Sequence, residues 1–140
     1  MTRIFADACY WLALLHRNDE LHAAAVAAKE QLKNARVITT DEVLSEFLSM
    51  ISGRAPHLRP VAAKIVEEMR RDSQITVVEQ SRATFDCGLA RYKSHADKQY
   101  SLVDCVSFEL MTRDSIAEAL TDDHHFEQAG FVARLSARRS

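Results

Sequence analysis

Apolar residues along this chain fall into two rhythms. Short unbroken or alternating runs such as Ile4-Phe5-Ala6, Val37-Ile38 and Ile75-Thr76-Val77-Val78 have the length of buried strands. Between them lie longer stretches with apolar residues three and four apart, as at Leu21, Ala24, Ala25, Ala28 and Leu32. The pattern predicts strands over residues 4–6, 36–39, 74–78, 118–121 and 131–135, and helices over 9–16, 20–34, 41–52, 58–72, 81–92 and 102–112. A capping box of Thr39 and Glu42 opens the third helix and Gly53 closes it, Pro56 and Pro60 bracket the start of the fourth, and residues 94–99 form a polar loop.

Strands alternating with helices imply parallel pairing through right-handed crossovers, with helices on both faces. The expected fold is a three-layer α/β/α sandwich with a parallel sheet of about five strands. The 140 residues make one domain. Three Gly and two Pro leave little room for linkers or a turn-rich β-sandwich, and no apolar run reaches the length of a membrane span. Met1-Thr2-Arg3 runs directly into the first strand, so no signal peptide is expected. Three cysteines without regular spacing point to reduced thiols and a cytoplasmic protein.

A formal charge of −2 excludes a polyanion binder that works by bulk positive charge. Nucleic acid would need a local basic rim, for which Arg54, Arg59, Arg70, Arg71, Lys93, Lys98, Arg113, Arg134, Arg138 and Arg139 are candidates, each also an ordinary surface charge.

The acids carry the candidate chemistry. Asp7 is the only charge between Ile4 and Leu15, at the junction of a strand and a helix. It could cap that helix, or it could be a metal ligand at the carboxyl end of a central strand. Asp104 lies in the first turn of an apolar helix, where Ser101-x-x-Asp104 also reads as a capping box. Asp122 and Asp123 repeat the strand-end arrangement, and adjacent carboxylates repel unless a cation neutralises them. Glu46 flanks the apolar stripe of Val43, Leu44, Phe47, Leu48 and Ile51. In a parallel sheet, strand ends and the helix starts that follow them share one edge. Carboxylates converging there call for a divalent cation, and hard oxygen donors suit Mg²⁺ or Mn²⁺.

Four stretches together resemble a known family. They are Ile4-Phe5-Ala6-Asp7, the segment from Thr39 to Glu46, the segment from Tyr100 to Phe108, and the segment from Ala119 to Phe131. In that order they are similar to PIN domains, and more narrowly to the VapC-type toxins of toxin–antitoxin modules. The resemblance covers nearly the whole chain, and the last two stretches are the specific ones. It implies a Mg²⁺- or Mn²⁺-dependent endoribonuclease whose products carry a 5′-phosphate and a 3′-hydroxyl. Asp7, Glu46, Asp104 and Asp123 fall on the family's acidic positions as catalytic residues and metal ligands, with Glu46 on a second metal or orienting the nucleophile. Asp122 falls on a variable position, and Thr40 lies where the family often has a polar residue behind the ligands. The resemblance also implies a homodimer, RNA as substrate, and a small antitoxin partner whose C-terminal segment enters the acidic groove.

Cys9, Cys87 and Cys105 read as small core residues without zinc spacing, Tyr10 and Trp11 as core or dimer surface, and His124-His125 as surface at the rim of the site. Two other classes compete. A phosphoacceptor receiver domain would need an acid pair after the first strand and a Lys after the penultimate one, and neither stands in place. A catalytically silent binding or scaffold module on the same fold is countered by the complete set of four acids.

Overall fold

The apolar run at the start of the chain becomes the middle of the molecule. In the computed structural model, which describes residues 2–136, the strands are β1 (Arg3–Ala6), β2 (Arg36–Thr40), β3 (Ile75–Val78), β4 (Glu118–Leu120) and β5 (Val132–Ala133). They lie in the order β3-β2-β1-β4-β5 with every neighbouring pair parallel. Ile4, Phe5 and Ala6 are all buried, as a central strand covered on both faces requires.

The helices are α1 (Ala8–Leu15), α2 (His22–Gln31), α3 (Asp41–Arg54), α4 (Arg59–Met69) after a 3-10 turn at Pro56–Leu58, α5 (Arg82–Ser94), α6 (Leu102–Arg113) and α7 (His124–Gln128). One group packs α1 on α2 and α3, and α3 on α4; the other packs α5 on α6 and α6 on α7. The result is the three-layer α/β/α sandwich that the alternation predicts. Trp11 is buried in α1, and its indole Nε1 is the one buried side-chain nitrogen or oxygen without a hydrogen-bond partner among the described residues. No helix among the described residues is long and apolar enough to cross a membrane.

Several boundaries move, each for a local reason. Gly53 does not stop α3. Its φ is not positive, and the helix ends instead at Ala55, held at φ −147 and ψ 63 by the Pro56 that follows. The cap of α3 is Thr40, whose hydroxyl accepts from the Val43 N–H at 3.0 Å. Thr39 donates its hydroxyl to the Ala6 carbonyl at 2.9 Å and ties β2 to β1. Cys87 is exposed, not a core residue. The five-residue α7 falls in a segment read only as a strand end and a rim, and Gly130 leaves it at φ 97. Arg138 and Arg139 lie outside the described residues.

α6 deserves its buried reading: Asp104, Cys105, Val106, Ser107, Phe108, Leu110 and Met111 are all buried. Gly88 of α5 lets it approach closely, since a Cβ there would stand 2.5 Å from Val106 Cγ2. On the far side Phe108 meets Phe126 of α7 edge-on at 4.9 Å.

Candidate active site

The chain runs from β1 to β2 and β3 on one side, and later returns to β4 on the other. The carboxyl ends of β1 and β4 therefore flank the point where the strand order reverses, the place where open α/β sheets bind ligands. Asp7 leaves the end of β1, and Asp122 and Asp123 follow β4 within three residues. The Asp7 N–H donates to the Leu120 carbonyl at 3.2 Å, which fixes the two ends side by side.

Thr121 joins the two strand ends. Its buried hydroxyl donates to Asp7 Oδ2 at 3.0 Å and accepts from the Asp123 N–H at 3.1 Å. Asp7 occupies the N-cap position of α1 without a side-chain capping bond of regular geometry, though the Ala8 N–H faces its carboxylate. Asp7 is 6% exposed. Burial first of all pushes its pKa up to about 7; the Ala8 N–H and Thr121 pull against this, while the Glu46 and Asp104 carboxylates add to it.

Asp104 caps its helix and also faces the other acids. Its N–H bonds to Ser101 Oγ at 3.0 Å and its Oδ2 accepts from the Ser101 N–H at 3.2 Å, a complete capping box. The same Oδ2 lies 3.1 Å from His125 Nδ1. Burial raises its pKa most and Asp123 raises it further, opposed by the Ser101 N–H and by His125. Glu46 comes from α3, whose start is held by the Thr40 cap, and it is half-buried. Burial, then Asp104 and Asp123, raise its pKa. Asp123 caps α7 through the His125 N–H at 2.9 Å.

Asp7, Glu46, Asp122 and Asp123 line one crevice of about 270 Å³. Asp104 couples to Glu46, Asp7 and Asp123 from α6 without being part of its wall. The donor set is carboxylate oxygen from four separate segments, with three of the acids held above their ordinary range by burial and by one another. Such a set fits a divalent cation such as Mg²⁺ or Mn²⁺, which would relieve the repulsion. Cys9, also in the crevice, is pushed up to about 12, chiefly by burial.

Two neighbours escape a reading of the sequence. Thr121 looks like the last residue of a strand, although its place between Leu120 and the acids is a usable signal. His125 looks like one of two surface histidines, yet only 17% of its side chain is exposed, and it touches Asp104 and Asp123. Of the basic candidates, Arg70 pairs with Asp41, Arg113 with Asp114 and Arg134 with Glu118.

The chain matches the family model described as "PIN domain" over residues 4–132. It is 31% identical over 132 residues to the 23S rRNA-specific endonuclease VapC20 of Mycobacterium tuberculosis, in the sequences from both strain CDC 1551 / Oshkosh and strain H37Rv; the match covers 92% of this chain and 95% of the relative. Among solved structures it is similar to the crystal structure of M. tuberculosis VapC20, described as a sarcin–ricin loop cleaving toxin. That likeness has a TM-score of 0.78 and 28% identity, over 92% of this chain and 96% of the other.

Proposed function

Since the chain belongs to the PIN domain family and, within it, to the VapC-type toxin ribonucleases of toxin–antitoxin modules, we propose that it is a divalent-cation-dependent endonuclease of ribosomal RNA. The observation that supports the cation dependence is the crevice lined by Asp7, Glu46, Asp122 and Asp123 at the strand-order reversal. The substrate class rests on the similarity to VapC20, which extends over 92% of the chain.

Asp7, Asp104 and Asp123 are the residues that would hold Mg²⁺ or Mn²⁺. Bound there, the cation supplies Lewis acidity to a phosphoryl oxygen and to a water. The chain's own residues do the rest. Thr121 fixes Asp7 Oδ2 by donating to it, so that carboxylate faces the crevice in one orientation. Glu46, on the α3 wall, orients the attacking water and accepts its proton at a carboxylate oxygen, a task suited to a raised pKa. Attack is in line, and the 3′ oxygen leaves.

The same reading takes the chain as one domain, working in the cytoplasm as a homodimer. The apolar side chains Phe85, Leu89 and Tyr92, exposed at helical spacing along α5, support self-association. The partner antitoxin would set an Arg against the acids, where a guanidinium can pair bidentately with a carboxylate.

The test is to incubate the protein with ribosomes and with total RNA, in Mn²⁺, Mg²⁺ or EDTA, and to map the ends produced. One dominant 5′-phosphate end in large-subunit RNA, lost with EDTA and with Asp104→Asn, is expected. Cuts scattered over many RNAs would overturn the substrate, and EDTA-resistant cleavage would overturn the cation.

A further inference from the structure

Substrate binding at this crevice cannot lean on bulk charge. The chain carries a formal charge of −2, and acids wall the crevice. Apart from the cation, contacts to the bases must help to hold a polyanionic strand in place. Single-stranded RNA is held in this way on rings of Phe, Tyr, Trp or His, because every base offers a face for stacking. Among the described residues, the rings exposed to solvent belong to His57, Phe85, Tyr92 and His124. Of these, His124 alone adjoins a proposed ligand, Asp123 in the crevice wall.

Its surroundings hold this ring in one place. His124 keeps 59% of its side chain in solvent, and its Nδ1 stands 3.8 Å from Asp123 Oδ1, beyond hydrogen-bond range. It rests instead on His125, with 4.5 Å between centroids and 50° between planes. His125 is itself pinned. Its Nδ1 lies 3.1 Å from Asp104 Oδ2, and its ring stands edge-on to Tyr100 at 5.5 Å. Tyr100 is buried and meets Phe108 edge-on at 5.1 Å. The row of rings therefore runs from the core through Tyr100 and His125 to a solvent-facing imidazole beside the acids. A ring backed in this way needs little further ordering when a base settles on it. Resting on the RNA-cleaving function proposed above, we infer that His124 is a base platform for the substrate: the free side of its imidazole stacks on one unpaired nucleobase next to the scissile phosphate. The contact is to a π-face, so it reads the presence of an unstacked base more than its identity. An ordinary surface histidine would leave cleavage indifferent to that base.

The experiment removes the base and the ring separately and together. A synthetic RNA spanning a cut mapped as above is made intact, and again with each nucleotide flanking the cut made abasic in turn. Wild type, His124→Ala, His124→Gln and His124→Phe are compared by kcat/KM in Mn²⁺, with thermal melts alongside. Wild type is expected to lose roughly tenfold or more at one abasic position. His124→Ala should lose as much on intact RNA and nothing further on that abasic RNA. His124→Gln should do the same, and is the second variant should Ala loosen α7. His124→Phe keeps a ring without the nitrogens, so it should stay within about threefold of wild type on intact RNA and keep the abasic penalty. Abasic losses that add to the His124→Ala loss at every position would overturn the platform while leaving the cation site intact. So would a His124→Phe as slow as His124→Ala, or a His124→Ala as fast as wild type. Wild type that cuts no RNA in Mn²⁺ would overturn the function proposed above, and this inference with it.

Discussion

At the scale of single residues, Asp7 couples function to stability with a definite sign. Its carboxyl is pushed from 3.8 to about 7, so the folded protein keeps a proton that the unfolded chain releases near 3.8. Without a cation, stability therefore falls as pH rises from about 4 to about 7, by on the order of 4 kcal/mol from this group. Asp7→Asn should abolish cleavage and yet melt higher than wild type at pH 7.5 in EDTA, with the gap closing toward pH 4. A variant less stable at neutral pH would mean that Asp7 serves the fold. The doubled acid gives a second residue-scale prediction. Both Asp122 and Asp123 line the crevice, but Asp123 alone is positioned by Thr121 and by the cap of α7. Asp123→Asn should remove activity, and Asp122→Asn should only reduce it; initial rates on one RNA rank the pair. These acids stood out in the sequence because each follows a short apolar strand. Thr121 shows only through its place between Leu120 and the acids, and a histidine beside another histidine carries no pattern until the chain is folded around it.

Among the elements, α6 shows how a helix can be both scaffold and site. Its burial was plain from apolar residues around most of its circumference. The reason it lies so close to α5 was not, because Gly88 has no partner in sequence. Gly88→Ala should destabilise by about 1–3 kcal/mol, as an overpacked contact does. It should also slow cleavage, because pushing α6 away moves Asp104, two residues from the clash at Val106. Val106→Ala in the same protein should restore part of both, read by urea melts and by rate. No rescue would place the strain elsewhere. The missed α7 has a plain cause as well: a helix of five residues is too short to display a period, and it stands because Asp123 caps it and Phe126 is buried under it. Gly53 misled for the opposite reason, since a glycine marks a helix end only where the backbone must turn left-handed.

For the whole molecule, the strand order matters more than any one acid. The parallel sheet of five strands follows from the alternation of short apolar runs with amphipathic stretches, but the order of the strands does not, as several orders satisfy the same alternation. Placing β1 between β2 and β4 is what brings four distant acids to one edge. A cation bound there should stabilise the folded state alone, by about 2.7 kcal/mol at a concentration 100 times its dissociation constant. Trp11, the chain's single tryptophan, gives the readout in its buried place on α1. Its emission should report a higher melting temperature with Mn²⁺ than with EDTA, and little difference in Asp104→Asn. An equal gain in both proteins would put the cation somewhere other than this crevice.

The pairing of β1 with β4 also has a consequence for how the cell meets this protein. Thr121 and Asp7 touch across 114 residues of sequence, so neither wall of the crevice exists without the other. A polypeptide still being translated, or one cut short before β4, carries Asp7, Glu46 and Asp104 but has nowhere to assemble them. On the function proposed above, cleavage therefore requires nearly all of the described chain to be in place. Nonsense mutations upstream of Leu120 should give silent alleles, not partial poisons.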